Sequence, residues 1–279
     1  MTDDFSDAAL VLVGHGSTLN GDSAAPTFQH ADELRRRGVF GQVLEAFWKL
    51  EPGLSGVLRG VFAKRVFVVP LFISEGYFTE EVIPREMGFC GKGETEFPRV
   101  REHDGQIFHY CGPVGTHESM TDVLMARADE VVAKYPYPRL PKESERSVFI
   151  AGHGTGNNDN SRKAIERQVE IIRGEERYAD VHAIFMEEEP KIGAVWELAT
   201  TNNVVVVPFF ISDGLHSYED IPMMLGEAER HVRQRLAEGT PTWRNPTERN
   251  GKRVWYSRSI GDEPHMADVI LERVREMAG

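Results

Sequence analysis

An internal repeat is the feature that most constrains the fold of this chain. The phrase LVLVGHGSTL at residues 10–19 recurs as VFIAGHGTGN at residues 148–157, and its histidine moves by 138 positions. The same offset pairs identical residues further along: Phe47 with Phe185, Glu51 with Glu189, Pro52 with Pro190, Pro70 with Pro208, Phe72 with Phe210, Ile73 with Ile211, Ser74 with Ser212, Gly76 with Gly214, Ile83 with Ile221, and Pro84 with Pro222. A period this long indicates a duplicated half-chain rather than a solenoid.

Each copy alternates short apolar runs with segments of helical spacing. Predicted strands cover 8–14, 42–47, 66–72 and 106–110 in the first copy, and 148–152, 180–186, 203–211 and 253–257 in the second. Predicted helices of the second copy cover 160–173, 189–200, 217–236 and 264–277. Runs that are apolar at nearly every position are typical of strands buried on both faces. The pattern therefore predicts an α/β fold of two tandem, pseudo-twofold-related, doubly wound parallel-sheet domains.

The repeat also predicts where the domains begin and end. Residues 1–135 and 147–279 should each form a domain, and the proline-rich, charged segment 136–146 should link them. Segments 90–104 and 238–251 are polar and rich in Gly or Pro, so we expect surface insertions there.

Composition restricts the class of protein. The net charge of −12 argues against nucleic-acid binding, which needs a basic face. No apolar stretch reaches the length of a membrane helix, and the acidic N-terminus has no signal-peptide pattern, so we expect a cytoplasmic protein. Cys90 and Cys111 alone cannot form a disulfide scaffold or a four-cysteine cluster.

Residues just after the predicted strands of the second copy form a candidate site. His153 follows the first strand, Glu187 follows the second, and His216 follows the third. In doubly wound folds, ligands bind beyond the carboxyl ends of the strands, so these side chains should meet in one crevice. Two imidazoles and a carboxylate suit Co, Ni, Fe or Zn better than Mg or Ca, and three protein ligands leave positions open.

Each candidate has a simpler interpretation when it is taken alone. His153 is compatible with a structural role, although its flanking Gly152 and Gly154 indicate a close approach to the backbone. Glu187 begins a run of three glutamates, which is typical of a solvated helix start. His216 is compatible with capping the next helix. The joint arrangement at three strand ends is what favours a functional site.

The first copy keeps only one of the three candidates. His15 corresponds to His153, whereas Lys49 stands in place of Glu187 and Phe78 in place of His216. Lys49 is a cation where a metal ligand is expected, and Phe78 has no donor atom, so the asymmetry predicts a single metal site in the second copy.

Motifs for other chemistries are missing. GHGST lacks the G-x-S-x-G nucleophile elbow, which makes Ser17 a poor nucleophile candidate. The chain has neither a G-x-G-x-x-G dinucleotide fingerprint nor a Walker sequence.

The phrases GHGS and GHGT, FMEEEP, and PFFISDGLHSYEDIP together resemble the class II tetrapyrrole chelatases. The resemblance covers nearly the whole chain and is greatest to the long, two-domain sirohydrochlorin cobaltochelatases of cobalamin and sirohaem synthesis. HYCGPVGTH at 109–117 partly matches the last-strand pattern of that family, and we expect no His-rich or metal-cluster tail of the kind found in some long members.

The resemblance implies insertion of a divalent metal, Co2+ or possibly Fe2+ or Ni2+ as substrate, into a sirohydrochlorin-type ring without an organic cofactor. His153, Glu187 and His216 match the family's metal-binding and catalytic residues. The first copy then supplies the opposite wall of the cleft, and Lys49 and Phe78 put independent catalysis by that copy in doubt. The remaining candidates for substrate binding are His15, Gly152, Gly154, Ser212, Gly214 and Lys49.

Several alternatives stay open at this point. The carboxylates of the macrocycle have four candidate partners: Lys49, Arg85, Arg162 and Lys163. The expected partners are a tetrapyrrole, no nucleic acid and no membrane, with the protein a monomer or homodimer. The alternative function is that of a non-enzymatic metal or tetrapyrrole carrier derived from a chelatase, and a structural or regulatory relic is a third.

Overall fold

The computed structural model describes residues 4–18, 21–94, 96–154 and 159–279, which fold into two compact α/β units. The first unit comprises the chain up to Met120 together with Pro264–Gly279, and the second comprises Thr121–Glu263. The units thus differ from the predicted domains 1–135 and 147–279 by one helix each, because the helices that close the two repeats are exchanged.

Each unit is built on a five-stranded sheet. The strands of the first unit are β1 (Phe5–Gly14), β2 (Phe40–Phe47), β3 (Arg65–Pro70), β4 (Val100–His103) and β5 (Gln106–Tyr110), in the order β2-β1-β3-β5-β4. Those of the second unit are β6 (Arg146–Gly152), β7 (Asp180–Phe185), β8 (Asn203–Pro208), β9 (Thr247–Arg249) and β10 (Lys252–Tyr256), in the order β7-β6-β8-β10-β9. All pairings are parallel except those of the edge strands β4 and β9. The predicted α/β, mostly parallel fold is confirmed.

Helices cover both sheets. They are α1 (Ala25–Arg37), α2 (Leu54–Val57), α3 (Ile83–Glu86), α4 (Met120–Lys134), α5 (Asn160–Gly174), α6 (Val195–Leu198), α7 (Ile221–Met224), α8 (Glu229–Ala237) and α9 (Met266–Ala278). In the described part of the chain, no helix is long and apolar enough to cross a bilayer. Val204 to Val207 in β8 are fully buried, as expected for a central parallel strand with a layer on each face.

Buried arginines hold the exchanged helices in place. On α4, the almost fully buried Arg127 pairs with Asp262 and Glu130. Asp129, on the same helix, accepts a 2.6 Å hydrogen bond from Arg146 of β6. In the first unit, Arg273 of α9 donates two hydrogen bonds, of 3.1 and 2.8 Å, to the carbonyl of Pro113. These charge-assisted contacts bind each closing helix to a specific unit.

Some predicted elements differ from the observed ones. The insertions contain the edge strands β4 and β9, which pair antiparallel with β5 and β10. The predicted helix 217–236 is divided into a π-helical turn, α7 and α8, and Gly226 between the helices has a φ of +100°. The predicted helix 189–200 begins later, with a 3-10 turn at Ile192, so Pro190 lies before it instead of in its first turn.

The strand order places a switch point between β1 and β3, and another between β6 and β8. At such points the connections leave the sheet in opposite directions and open a crevice at the carboxyl ends of the strands. His15 and His153 follow β1 and β6, so both histidines lie at a switch point.

Candidate active site

His153 is oriented by its own loop. Its Nδ1 lies 2.9 Å from the carbonyl oxygen of Gly154. Because a carbonyl only accepts hydrogen bonds, Nδ1 carries the proton and Nε2 of the neutral ring keeps its lone pair. Nε2 lies 3.8 Å from Oε1 of Glu187. The imidazole therefore presents its basic nitrogen towards the carboxylate.

His216 presents the same nitrogen. It is the first residue of a π-helical turn, His216–Asp220, and its Nδ1 lies 2.7 Å from Oδ2 of Asp220. A carboxylate accepts the Nδ1 proton, so Nε2 again has the free lone pair. The rings of His153 and His216 lie 5.0 Å apart at 74°. Two imidazoles with available Nε2 atoms thus meet next to a carboxylate.

The cluster is open to solvent. The side chains of His153, His216 and Glu187 are 33%, 50% and 59% exposed. Across residues 4–18, 21–94, 96–154 and 159–279, no group of three or more His, Cys, Asp or Glu side chains is already arranged to hold a metal ion. The structure therefore brings the three predicted ligands together without forming a closed cage, and their metal-binding role stays a prediction.

The glycines beside His153 have a structural reason for being glycine. A Cβ on Gly152 would lie 2.0 Å from Cδ1 of Ile165 in α5. Gly154 has a φ of +67°, and its Cβ would lie 3.0 Å from Cβ of Phe185. Protein atoms thus occupy the space on the side where a Cβ would lie. Packing and backbone conformation give both positions a reason to be glycine, and their predicted role in substrate binding stays a prediction.

Ser212 and Gly214 lie, half-buried, in the loop between β8 and the π-helical turn. The amide of Gly214 donates a 3.0 Å hydrogen bond to Oγ of Ser217, and that hydroxyl lies 3.3 Å from the carbonyl of Gly214. Gly214 therefore shapes the entry to the turn that carries His216.

A buried tyrosine supports this turn. The hydroxyl of Tyr256, in β10, donates a 2.8 Å hydrogen bond to the carbonyl of Ser217. Burial raises the pKa of Tyr256, so the phenol keeps its proton and donates this hydrogen bond. Tyr110 does the same in the first unit, with a 2.7 Å bond to the carbonyl of Thr79 in the turn Phe78–Val82. Sequence reasoning missed both tyrosines, although their shared position in the last strand of each copy was a usable signal.

The equivalent site of the first unit is aromatic. His15 bonds the carbonyl of Gly16 at 2.8 Å, and its ring lies 5.0 Å from Phe78 at 77°, much as His153 faces His216. Trp48 completes the cluster, at 5.2 Å from His15 and 4.8 Å from Phe78. The geometry is retained while two of the three candidate ligands are replaced.

Lys49 occupies the position of Glu187. The amides of Lys49 and Glu187 each donate a 3.0 Å hydrogen bond to the carbonyl of the preceding site histidine, His15 or His153. The ammonium of Lys49 lies 4.3 Å from the centre of the Trp48 ring. Within the described part of the chain, no carboxylate pairs with Lys49. Its charge is thus available to an anionic ligand.

The other three basic candidates already have partners. Arg162 bonds Glu188 at 2.6 Å and lies over the ring of Phe185. Arg85 pairs with the adjacent Glu86 at 3.0 Å. Lys163 lies 3.9 Å from Asp159 across one turn of α5. Of the four, Lys49 is thus the one without a carboxylate partner in the described part of the chain.

A cavity of about 450 Å³ lies in the second unit behind the π-helical turn. Its wall includes Ser217 and Tyr218 of the turn, Tyr135 of the segment after α4, and Trp243, but none of His153, Glu187 or His216. The cluster and this cavity are separate features, and the chemistry of the side chains assigns the candidate site to the cluster.

Comparison with known proteins follows the repeat. The CbiX family model matches residues 9–131 and again residues 147–277. A probable sirohydrochlorin cobaltochelatase of Halobacterium salinarum is 41% identical over 278 residues, which are 96% of this chain and 91% of that protein. A sirohydrochlorin cobaltochelatase of Methanopyrus kandleri is 28% identical over 141 residues, covering 48% of this chain and 97% of that protein.

A solved structure agrees with this comparison. A multi-domain protein of Deinococcus radiodurans, described as structurally similar to chelatases with two additional domains, superposes with a TM-score of 0.76 at 30% identity. The match covers 95% of this chain and 54% of that one, so the chain spans about half the length of that protein. With both copies matched by one family model and a 41% identical relative over almost its full length, the chain belongs to the CbiX family.

Proposed function

We propose that this protein inserts a divalent metal into sirohydrochlorin, with Co2+ as the favoured substrate and Fe2+ or Ni2+ as alternatives. The observation that carries the proposal is the pair of imidazoles, His153 and His216, with both Nε2 atoms available beside Glu187 at a switch point. The cobaltochelatase name of the 41% identical relative supports the reaction and the metal.

The reaction needs groups that bind a cation and groups that accept protons. Insertion of M2+ into the ring releases two protons from two pyrrole N–H groups, so charge balances. A neutral Nε2 atom either ligates the metal or takes a proton, and Glu187 offsets the incoming charge. Imidazole and carboxylate together suit metals of the Co2+, Fe2+ and Ni2+ type.

The first unit has a different role in this proposal. The cluster of His15, Trp48 and Phe78 has one candidate ligand, so we assign no metal insertion to it. Lys49, unpaired by a carboxylate in the described residues, meets carboxylates of the macrocycle. Ser212 and Gly214 are assigned to the substrate-facing loop, and the backbone of Gly152 and Gly154 remains a proposed substrate contact, although a Cβ at either position would meet Ile165 or Phe185.

The setting follows from composition. We place the reaction in the cytoplasm because both cysteines are free thiols, and we expect no nucleic-acid partner because the net charge is −12. The protein acts as a monomer or homodimer, which light scattering on the purified chain would distinguish.

The test is metal insertion followed by the absorbance of the ring. The wild type should convert sirohydrochlorin with at least one of Co2+, Fe2+ or Ni2+. His153→Ala and His216→Ala should each lose about 100-fold or more in kcat/KM. His231→Ala, on an exposed face of α8, is the matched control and should retain the wild-type rate. Tight binding of metal or ring without turnover would favour a carrier, and wild-type rates in both alanine variants would remove the site assignment.

A further inference from the structure

Asp220 is not one of the predicted metal ligands, but its side chain contacts one of them, His216. Its Oδ2 lies 2.7 Å from Nδ1 of His216, four residues earlier in the π-helical turn. Only 35% of its side chain is exposed, and the contact uses the nitrogen that faces away from the available Nε2. A carboxylate at this position selects the tautomer in which Nε2 is the donor atom.

The first unit shows that the turn does not need this carboxylate. Phe78–Val82 forms the same π-helical turn, closed by a hydrogen bond from the amide of Ile83 to the carbonyl of Phe78. At the repeat offset, Val82 stands where Asp220 stands in the second copy. A valine therefore supports the turn as well as an aspartate does.

At the two positions equivalent to His216 and Asp220, the first copy has neither the histidine nor the aspartate. Phe78 replaces His216 and Val82 replaces Asp220, although the neighbouring carboxylate is retained, as Glu81 in the first copy and Glu219 in the second. Glu219 lies near Arg233, at 3.8 Å, rather than against His216. The paired replacement links Asp220 to the task of His216 and not to the fold of the turn.

We propose that Asp220 is a positioning residue for metal delivery. It holds His216 with the proton on Nδ1, keeps the ring from rotating, and makes Nε2 a stronger metal donor. The inference rests on the proposed function, because it assumes that His216 receives the metal.

The first test reads the tautomer directly. Long-range 1H–15N spectra at about pH 8, above the ordinary imidazole pKa of about 6.5, distinguish Nδ1–H from Nε2–H rings. The wild type should show Nδ1–H at His216, and Asp220→Val should lose that preference. Glu219→Gln, which removes a carboxylate from the same turn, should keep it. An Nε2–H ring in the wild type would overturn the proposal without any variant.

The second test measures binding of Co2+ alone by calorimetry. Asp220→Val should weaken the affinity about 10–100-fold, Asp220→Glu should recover part of the loss, and Glu219→Gln should bind as the wild type does. In turnover, Asp220→Val should raise KM for Co2+ and leave KM for sirohydrochlorin unchanged. Circular dichroism establishes that the variant is folded, which Val82 leads us to expect.

The outcomes separate this proposal from the function it rests on. Wild-type Co2+ affinity in a folded Asp220→Val protein overturns the positioning role, whatever the insertion rate. If the wild type binds Co2+ and Asp220→Val does not, yet no ring is metallated, the positioning role stands and the chelatase proposal fails.

Discussion

An alanine at position 152 would place its Cβ 2.0 Å from Cδ1 of Ile165, which is fully buried in α5. Such overlap in a packed core costs about 1–3 kcal/mol of unfolding free energy. Ile165→Val removes the overlapping Cδ1 atom and alone costs about 0.5–1.5 kcal/mol. In the double variant the added methyl group occupies the vacated space. We therefore expect it to be more stable than the sum of the single effects predicts, with a coupling of about 0.5–3 kcal/mol.

Urea unfolding followed by far-UV circular dichroism measures these free energies. Gly174→Ala is the matched control, because Gly174 lies in α5, the helix that contains Ile165, and a Cβ there meets nothing within 4 Å. It should be neutral or stabilising by up to about 1 kcal/mol. If Gly152→Ala kept wild-type stability and raised only KM for the macrocycle, the space beside Gly152 would belong to substrate and the packing account would be wrong.

Three further sets of substitutions test the support of the turn, the binding of substrate and the stability at low pH. Tyr256→Phe removes the donor to the carbonyl of Ser217 and should cost about 1–3 kcal/mol in urea unfolding together with part of the insertion rate, and Tyr110→Phe should cost a similar amount of stability. Lys49→Ala should raise KM for sirohydrochlorin and leave KM for Co2+ unchanged in steady-state assays. Burial lowers the pKa of His182, so the unfolded chain binds more protons below the ordinary imidazole value of about 6.5. The unfolding free energy should therefore fall as the pH drops through that value, and His182→Phe should flatten this dependence.

Each of these predictions has an outcome that would contradict it. Wild-type stability and rate in Tyr256→Phe would show that its hydrogen bond does not support the turn. Lys64→Ala is the control for Lys49→Ala. It changes an exposed lysine at the amino end of β3, opposite the carboxyl ends where the site lies, and should leave KM for sirohydrochlorin unchanged. If Lys64→Ala raised KM as much as Lys49→Ala, the effect of Lys49 would reflect the overall charge of the protein and not a specific contact. A pH slope unchanged in His182→Phe would assign the acid sensitivity to other groups.

The repeat and the apolar runs were sufficient to predict the two parallel sheets. Strands such as β8 are buried at nearly every position, so their sequence records the layer on each face. The edge strand β4 was missed because all four of its residues are exposed, which leaves no burial pattern in the sequence. Its pairing with β5 depends on backbone hydrogen bonds instead.

The exchange of the closing helices could not be predicted from periodicity. Both α4 and α9 have an apolar face, and such a face fits either sheet. The choice depends on tertiary contacts such as Arg127 with Asp262 and Arg273 with Pro113, between residues more than 130 positions apart. A single sequence does not reveal pairings over that distance.

The site was predicted in part. The predicted strand ends were enough to identify His153, Glu187 and His216, because parallel strands bring their carboxyl ends to one edge of the sheet. Asp220 lies within the motif PFFISDGLHSYEDIP, but the sequence does not assign it a role, because helical spacing does not indicate a π-helical turn that sets it against His216. The glycines were identified as constrained, but the atoms that constrain them belong to Ile165 and Phe185.

In the proposed function, the second repeat receives the metal through His153 and His216. Anomalous diffraction from a crystal soaked in Co2+ tests it most directly. We predict a cobalt peak about 2.0–2.2 Å from Nε2 of both histidines, with Glu187 turned towards it and no peak at His15. A cobalt ion bound at His15, or none at the pair His153 and His216, would contradict the account.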